Sequence, residues 1–189
     1  MFFNYFGPKP GKSFAIRLIV GVKDLPDFSL VRLRQRTVRV KMADREPSSS
    51  DLSKKFVTVT AARWFQETEA ERGLMVTITP CNTVEQARHE VAKDTAATFL
   101  KPRFKSKLLD VCEVQAIEIS SAEALVAYEF SVARRSMTVH GKVLSGSIDK
   151  VCFTVQSSAT KAEWTWDKVA AIGEAQASKI RRGLESVAA

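Results

Sequence analysis

Two histidines, three cysteines and one glycine-bearing turn are the places where this sequence could do chemistry. His89 falls on the polar side of a helical pattern, and His140 sits in the middle of an alternating strand pattern beside Val139 and Gly141. Neither stands in a set of Cys, Asp or Glu at metal-ligand spacing, so both read as surface or packed histidines. Cys81, Cys112 and Cys152 are an odd number without a CxxC pair, and the sequence gives no reason to expect a disulfide. Cys112 and Cys152 lie in strand patterns, where a small buried thiol is expected. Gly7 to Ser13 ends like a phosphate-binding loop, but Gly7 and Gly11 enclose three residues where that loop needs four. Residue 6 is Phe6, and no strand precedes it to support a cradle of backbone N–H groups. With no nucleophile elbow, no paired carboxylates in distinct environments and no dinucleotide turn, the sequence points to binding. No metal, cofactor or small-molecule substrate is expected.

The charge is arranged more tellingly than its total of +8 suggests. Residues 1–43 hold nine Lys and Arg against Asp24 and Asp27, a net +7, so the rest of the chain is nearly neutral. Within residues 29–43 apolar and basic side chains alternate, with a slip of phase around Gln35 to Thr37. A strand with a bulge and a cationic outer face is one reading. An Arg-rich targeting segment ending near Met42-Ala43 is a second. An arm pairing with nucleic-acid phosphates is a third. The charge is confined to this stretch and no aromatic-interleaved basic face follows, so nucleic acid is not expected as a partner.

The division expected is a basic N-terminal arm over residues 1–43, a polar linker over 44–55 and a folded domain over 56–189. No apolar run reaches the roughly 18 residues that a membrane span needs, and Arg17 interrupts the nearest candidate, Phe14 to Val22. The docking residues read from charge and aromaticity are Phe2, Phe3, Tyr5, Phe6, Lys9, Lys12, Arg32, Arg34, Arg36, Arg39 and Lys41 of the arm. Arg103 and Lys105 of a later basic loop join them.

The elements that must carry these residues follow from periodicity. Phe56 to Thr60 and Leu74 to Thr79 read as strands, the second stopped by Pro80, with an ambiguous charged stretch between them. Thr83 and Gln86 have capping-box spacing before a helix running to Leu100, whose apolar stripe is Val84, Ala87, Val91, Thr95 and Phe99. Leu108 to Ser120 and Ala122 to Val132 read as strands joined near Ser120-Ser121. A strand from Ser136, a turn at Ser145-Gly146-Ser147 and a strand through Val151, Phe153 and Val155 follow. A last helix is announced by Trp164 and Trp166, with Thr160 or Thr165 as its cap. Val169, Ile172, Gly173, Gln176, Ile180 and Leu184 form its stripe. The fold class expected is α+β, with an antiparallel sheet of about six strands and helices packed on it.

The order Leu74-Met-Val-Thr-Ile-Thr-Pro80, capped helix, Ala127-Tyr-Glu-Phe130 paired with the Met137 strand, and Trp164-Thr-Trp166 before the last helix resembles the PsbP-like family. The resemblance covers about residues 56–186. Ran-binding Mog-type proteins share that family's fold. The resemblance implies an α-β-α sandwich and a non-catalytic extrinsic or assembly protein, peripheral in the chloroplast thylakoid on the lumenal side. It implies subunits of a photosystem or a related membrane protein complex as partners. The arm would then act as an anchor, with an anionic membrane surface as a further partner. Many members open one strand with a basic residue and a histidine; this chain reads Arg135-Ser136-Met137, so metal roles in that family are not carried over. A soluble Mog-type binding module and an enzyme without a sequence motif are the competing readings.

Overall fold

The computed structural model describes residues 13–41, 55–67, 72–93, 100, 107–114, 117–120, 122–160 and 164–188. Seven strands form one sheet: β1 (Phe28–Lys41), β2 (Lys55–Glu67), β3 (Arg72–Pro80), β4 (Leu108–Glu113), β5 (Ala124–Arg134), β6 (Met137–Ile148) and β7 (Val151–Ala159). Their order across the sheet is β1-β2-β3-β7-β6-β5-β4, and every neighbouring pair is antiparallel. Two meanders thus meet along β3 and β7, and the crossover between them carries α2 (Val84–Lys93). Helices α1 (Ser13–Leu18) and α3 (Trp166–Ala188) complete the described elements. The fold is α+β as expected, with seven strands where about six were read.

Alternation along the strands sorts side chains onto two faces, since successive residues point to opposite sides. Ala127, Leu144, Val76, Ile78, Phe153 and Val155 pack with Leu18 of α1 and with Val169, Ile172 and Ile180 of α3. Their sequence neighbours Tyr128 and Val143 point the other way and join Phe130, Val132 and Leu100. Ala87 and Val91 of α2 lie on that second side against Cys81 and Cys152. The two caps form as hydrogen-bonding chemistry dictates. Gln86 N donates to Thr83 Oγ1 at 3.1 Å, and the Gln86 amide accepts from Asn82 N at 3.1 Å. At α3, Thr165 is the cap rather than Thr160: Lys168 N donates to Thr165 Oγ1 at 3.3 Å.

Several expectations are corrected here. Residues 13–41 are not an arm. Phe14, Leu18, Ile19, Val20, Leu25 and Phe28 are buried in the main core, and β1 pairs with β2 along its whole length. Burying side chains of this size contributes roughly 1.5–3 kcal/mol each, enough to hold the segment on the domain despite its charge. The strand reading therefore prevails over residues 29–41, with its bulge between Leu30 and Arg32 rather than near Gln35. Residues 1–12 and 42–54, including most of the expected linker, lie outside the described residues.

Ser145-Gly146-Ser147 is no turn: β6 runs straight through it. Both serines are buried, and Gly146 leaves room for the Phe153 ring, which a Cβ there would meet at 2.7 Å. The turn falls at Asp149-Lys150, with Asp149 at φ 48°. The stretch read as one strand from Leu108 to Ser120 is strand only as far as Glu113.

Candidate functional site

The start of α3 is pinned by a cluster of rings and charges. Phe28, the first residue of β1, stacks on Trp164 with ring centroids 5.9 Å apart and planes at 12°. Arg72 and Lys168 lie over the Trp164 ring at 5.6 and 5.8 Å, and both pair with the Glu67 carboxylate. Glu67 is 7% exposed. Burial alone would raise its pKa, but the hydrogen bonds from Lys168 and Arg72 outweigh that and hold it below the ordinary carboxylate value. This clamp ties the start of α3 to β1, β2 and β3.

Beside it, β4, β5 and β6 present a polar groove of about 240 Å³. Register lays its side chains out in two cross-strand rows: Asp110–Ser131–His140 and Cys112–Glu129–Lys142. The second row is closed upon itself. Lys142 pairs with Glu129 and lies 5.1 Å from the Trp166 ring centroid, and Trp166 Nε1 donates to Glu129 Oε1 at 2.6 Å. The Lys142 hydrogen bond, helped by Trp166, holds the Glu129 pKa below the ordinary value.

Cys112 and His140 belong to different rows on strands two apart. Strand spacing then separates their backbones by roughly 12 Å, too far for a thiol–imidazole couple. The Cys112 thiol instead donates to Glu113 O at 3.6 Å. Among the described residues no group of three His, Cys, Asp or Glu is placed to hold a metal ion. The groove was not legible in the sequence, because register alone aligns residues 110, 131 and 140. Cys112 corrects a further expectation: it is exposed, while Cys81 and Cys152 are the buried thiols. His89 is on the exposed side of α2 and His140 is exposed in the groove.

The basic row is the second feature. Arg32, Arg34 and Arg36 face Trp64, Ala62 and Thr60 across the β1–β2 ladder, so all three project from one face of an edge strand. All three are exposed, and Arg32 lies 5.7 Å from the Trp64 ring centroid. Val31, the residue at the bulge, is 65% exposed, and Leu30 and Leu33 are exposed beside it. Helix α2 packs over β5, β6 and β7, leaving a shallow depression bordered by Val31, Trp64 and Met75.

Of the expected docking residues, the fold brings Arg32, Arg34 and Arg36 together. Arg39 and Lys41 continue β1, but their side chains lie outside the described residues, as do Phe2, Phe3, Tyr5, Phe6, Lys9, Lys12, Arg103 and Lys105. No described helix is long and apolar enough to cross a membrane.

No family model matches this chain, and no curated protein matches it. Among solved structures, an uncharacterized protein from Mycobacterium smegmatis is similar in fold. Its TM-score is 0.52 at 13% identity, over 88% of this chain and 96% of that one. That likeness shows the fold alone. It also corrects the expected location: the fold occurs in a mycobacterium, an organism without chloroplasts, and a place in the chloroplast thylakoid is withdrawn.

Proposed function

We propose that this protein is a non-catalytic accessory or assembly subunit that docks peripherally on a membrane protein complex through the outer edge of β1. The occupant of that edge is an acidic, extended segment of a partner subunit. The observation that carries this reading is the row Arg32, Arg34 and Arg36 on one face of an edge strand, with apolar Val31 and Trp64 beside it. Among the described residues no strand pairs with the outer side of β1, so its backbone groups can accept an added strand. Cations at every second residue match carboxylates at the same spacing on that strand. The PsbP-like resemblance is the ground for seeking the partner in a membrane complex; the photosynthetic setting is not carried with it.

The test is co-migration with a large complex in native fractionation of source membranes, with and without a salt wash near ~1 M, where exposed charges are screened beyond about 3 Å. Salt should release the protein, and the triple variant Arg32→Glu, Arg34→Glu, Arg36→Glu should run free. A triple variant that still co-migrates sinks the proposal.

A second reading, an enzyme using the groove, draws on the row of Asp110, Ser131 and His140 across it, with Cys112 on the neighbouring row. The double variant Cys112→Ser, His140→Ala separates the two readings. The docking reading requires unchanged co-migration.

A further inference from the structure

Where the N-terminal segment meets α3, a cleft of about 520 Å³ opens on the side of β2 opposite Trp64. Arg17, Lys23, Arg63, Lys179 and Arg182 line it against one carboxylate, Asp24. That carboxylate is already engaged: it accepts from Gly21 N at 2.8 Å, and its oxygens lie 3.2 Å from Lys179 Nζ and 4.0 Å from Arg182 Nη2. Arg63 reaches in from β2, donating from Nη1 to Ile19 O at 3.2 Å and Val20 O at 2.6 Å, while its buried Nε has no hydrogen-bond partner among the described residues. Burial pushes the Arg63 pKa down, and Asp24 only partly offsets this. Among the described residues Arg17 and Lys23 have no ion-pair partner, and both are exposed at the mouth.

Five cations facing one carboxylate repel one another, and a partly buried guanidinium with an orphaned N–H is costly. A bound anion relieves the repulsion. We infer that this cleft binds a phosphate monoester carried on a hydrocarbon chain. The phosphate suits it because two negative charges and three acceptor oxygens meet several arginine and lysine donors at once. The hydrocarbon suits it because Ile16 and the exposed Val22 make the adjoining wall apolar. The same chemistry occurs in the headgroup of phosphatidic acid and in a soluble alkyl phosphate. The site is independent of the β1 row, which projects from the other face of the sheet.

Calorimetric titration with inorganic phosphate and with an alkyl phosphate tests the site. It is paired with co-sedimentation on phosphatidylcholine vesicles with and without phosphatidic acid. The double variant Lys23→Glu, Arg182→Glu should weaken alkyl phosphate binding by about tenfold or more, the loss expected for two charge-assisted contacts. The charge-matched control Arg34→Glu, Arg36→Glu should change it by less than about twofold. Circular dichroism confirms that both variants fold. Sedimentation that requires phosphatidic acid and is competed by alkyl phosphate assigns the lipid source, and binding of the dissolved ligand without sedimentation assigns the soluble one. If no phosphate-bearing probe binds, or if both double variants weaken binding equally, the cleft is not a phosphate site.

Discussion

Gln176, midway along α3, locks onto the backbone around Val20. Its Oε1 accepts from Val20 N at 3.0 Å, and its Nε2 donates to Leu18 O at 2.7 Å. The side chain is fully buried, and it supplies partners for Val20 N and Leu18 O where the chain leaves α1. Replacing it with leucine keeps much of the volume but orphans a donor and an acceptor. Gln176→Leu should therefore cost roughly 2–4 kcal/mol, read as a lowered urea midpoint at unchanged slope. A midpoint equal to that of the parent protein would show that the amide is dispensable.

Gly141 is a place where backbones come close. A Cβ there would strike the Phe130 ring and approach Ser157 O to 2.6 Å, and the second obstacle is main chain, which cannot turn aside. Gly73 differs, since a Cβ there meets the movable Ser158 Oγ at 3.2 Å. Gly141→Ala should lose about 1–3 kcal/mol and Gly73→Ala much less. Thermal melts of the two variants decide the ranking, and equal losses would refute it.

Acid should unlock α3. The pKa of Glu67 is lowered from 4.5 because its bonds to Lys168 and Arg72 outweigh the effect of burial. A lowered folded-state pKa means that the carboxylate adds stability above the unfolded value, and this contribution is lost as pH falls through the folded one. Stability should drop below about pH 4.5, and Glu67→Gln should flatten that limb while lowering stability at neutral pH. Urea midpoints across the range measure this. An acid limb as steep in the variant as in the parent assigns the effect elsewhere.

Thiol labelling should divide the cysteines. Cys112 is exposed, whereas Cys81 and Cys152 are buried with their sulfurs 3.7 Å apart, and the Cys152 thiol donates to Ala87 O at 3.1 Å. An aromatic disulfide reagent should modify Cys112 quickly and the other two only with unfolding. Cys112→Ala should abolish the fast phase. A fast phase that survives would mean that the second face opens readily.

Periodicity made the inner strands and α3 legible, because β3 keeps a strict two-residue burial pattern through Val76 and Ile78, and β7 repeats its large apolar side chains at Val151, Phe153 and Val155. It also picked out Gln176 as part of the α3 stripe without explaining a polar residue there; the explanation is the backbone of Leu18 and Val20, far away in sequence. The N-terminal segment resembles an arm in sequence because Arg17 and the Arg row mask its apolar content, Phe14, Leu18, Ile19 and Val20 among it. Charge marks one face of β1 but says nothing of the other. The serines of β6 looked like a turn because small polar residues suit turns, yet here Ser145 bonds to Thr154 Oγ1 at 3.1 Å inside the sheet. The groove and the cationic cleft depend on register and on helix docking, which local sequence does not encode.

The Gln176 contacts join residues 156 and 158 positions apart, and this sets the order in which the chain can become itself. On the ribosome, β1 to β3 emerge and can pair while Leu18, Ile19 and Val20 still lack the packing that α3 supplies. That side of their cover is made only when α3 appears, long after. Contacts of such sequence separation slow folding and leave sticky intermediates. A nascent chain stopped before α3 is thus a sheet with an unroofed apolar face and a bare edge, the form in which this protein most needs a chaperone.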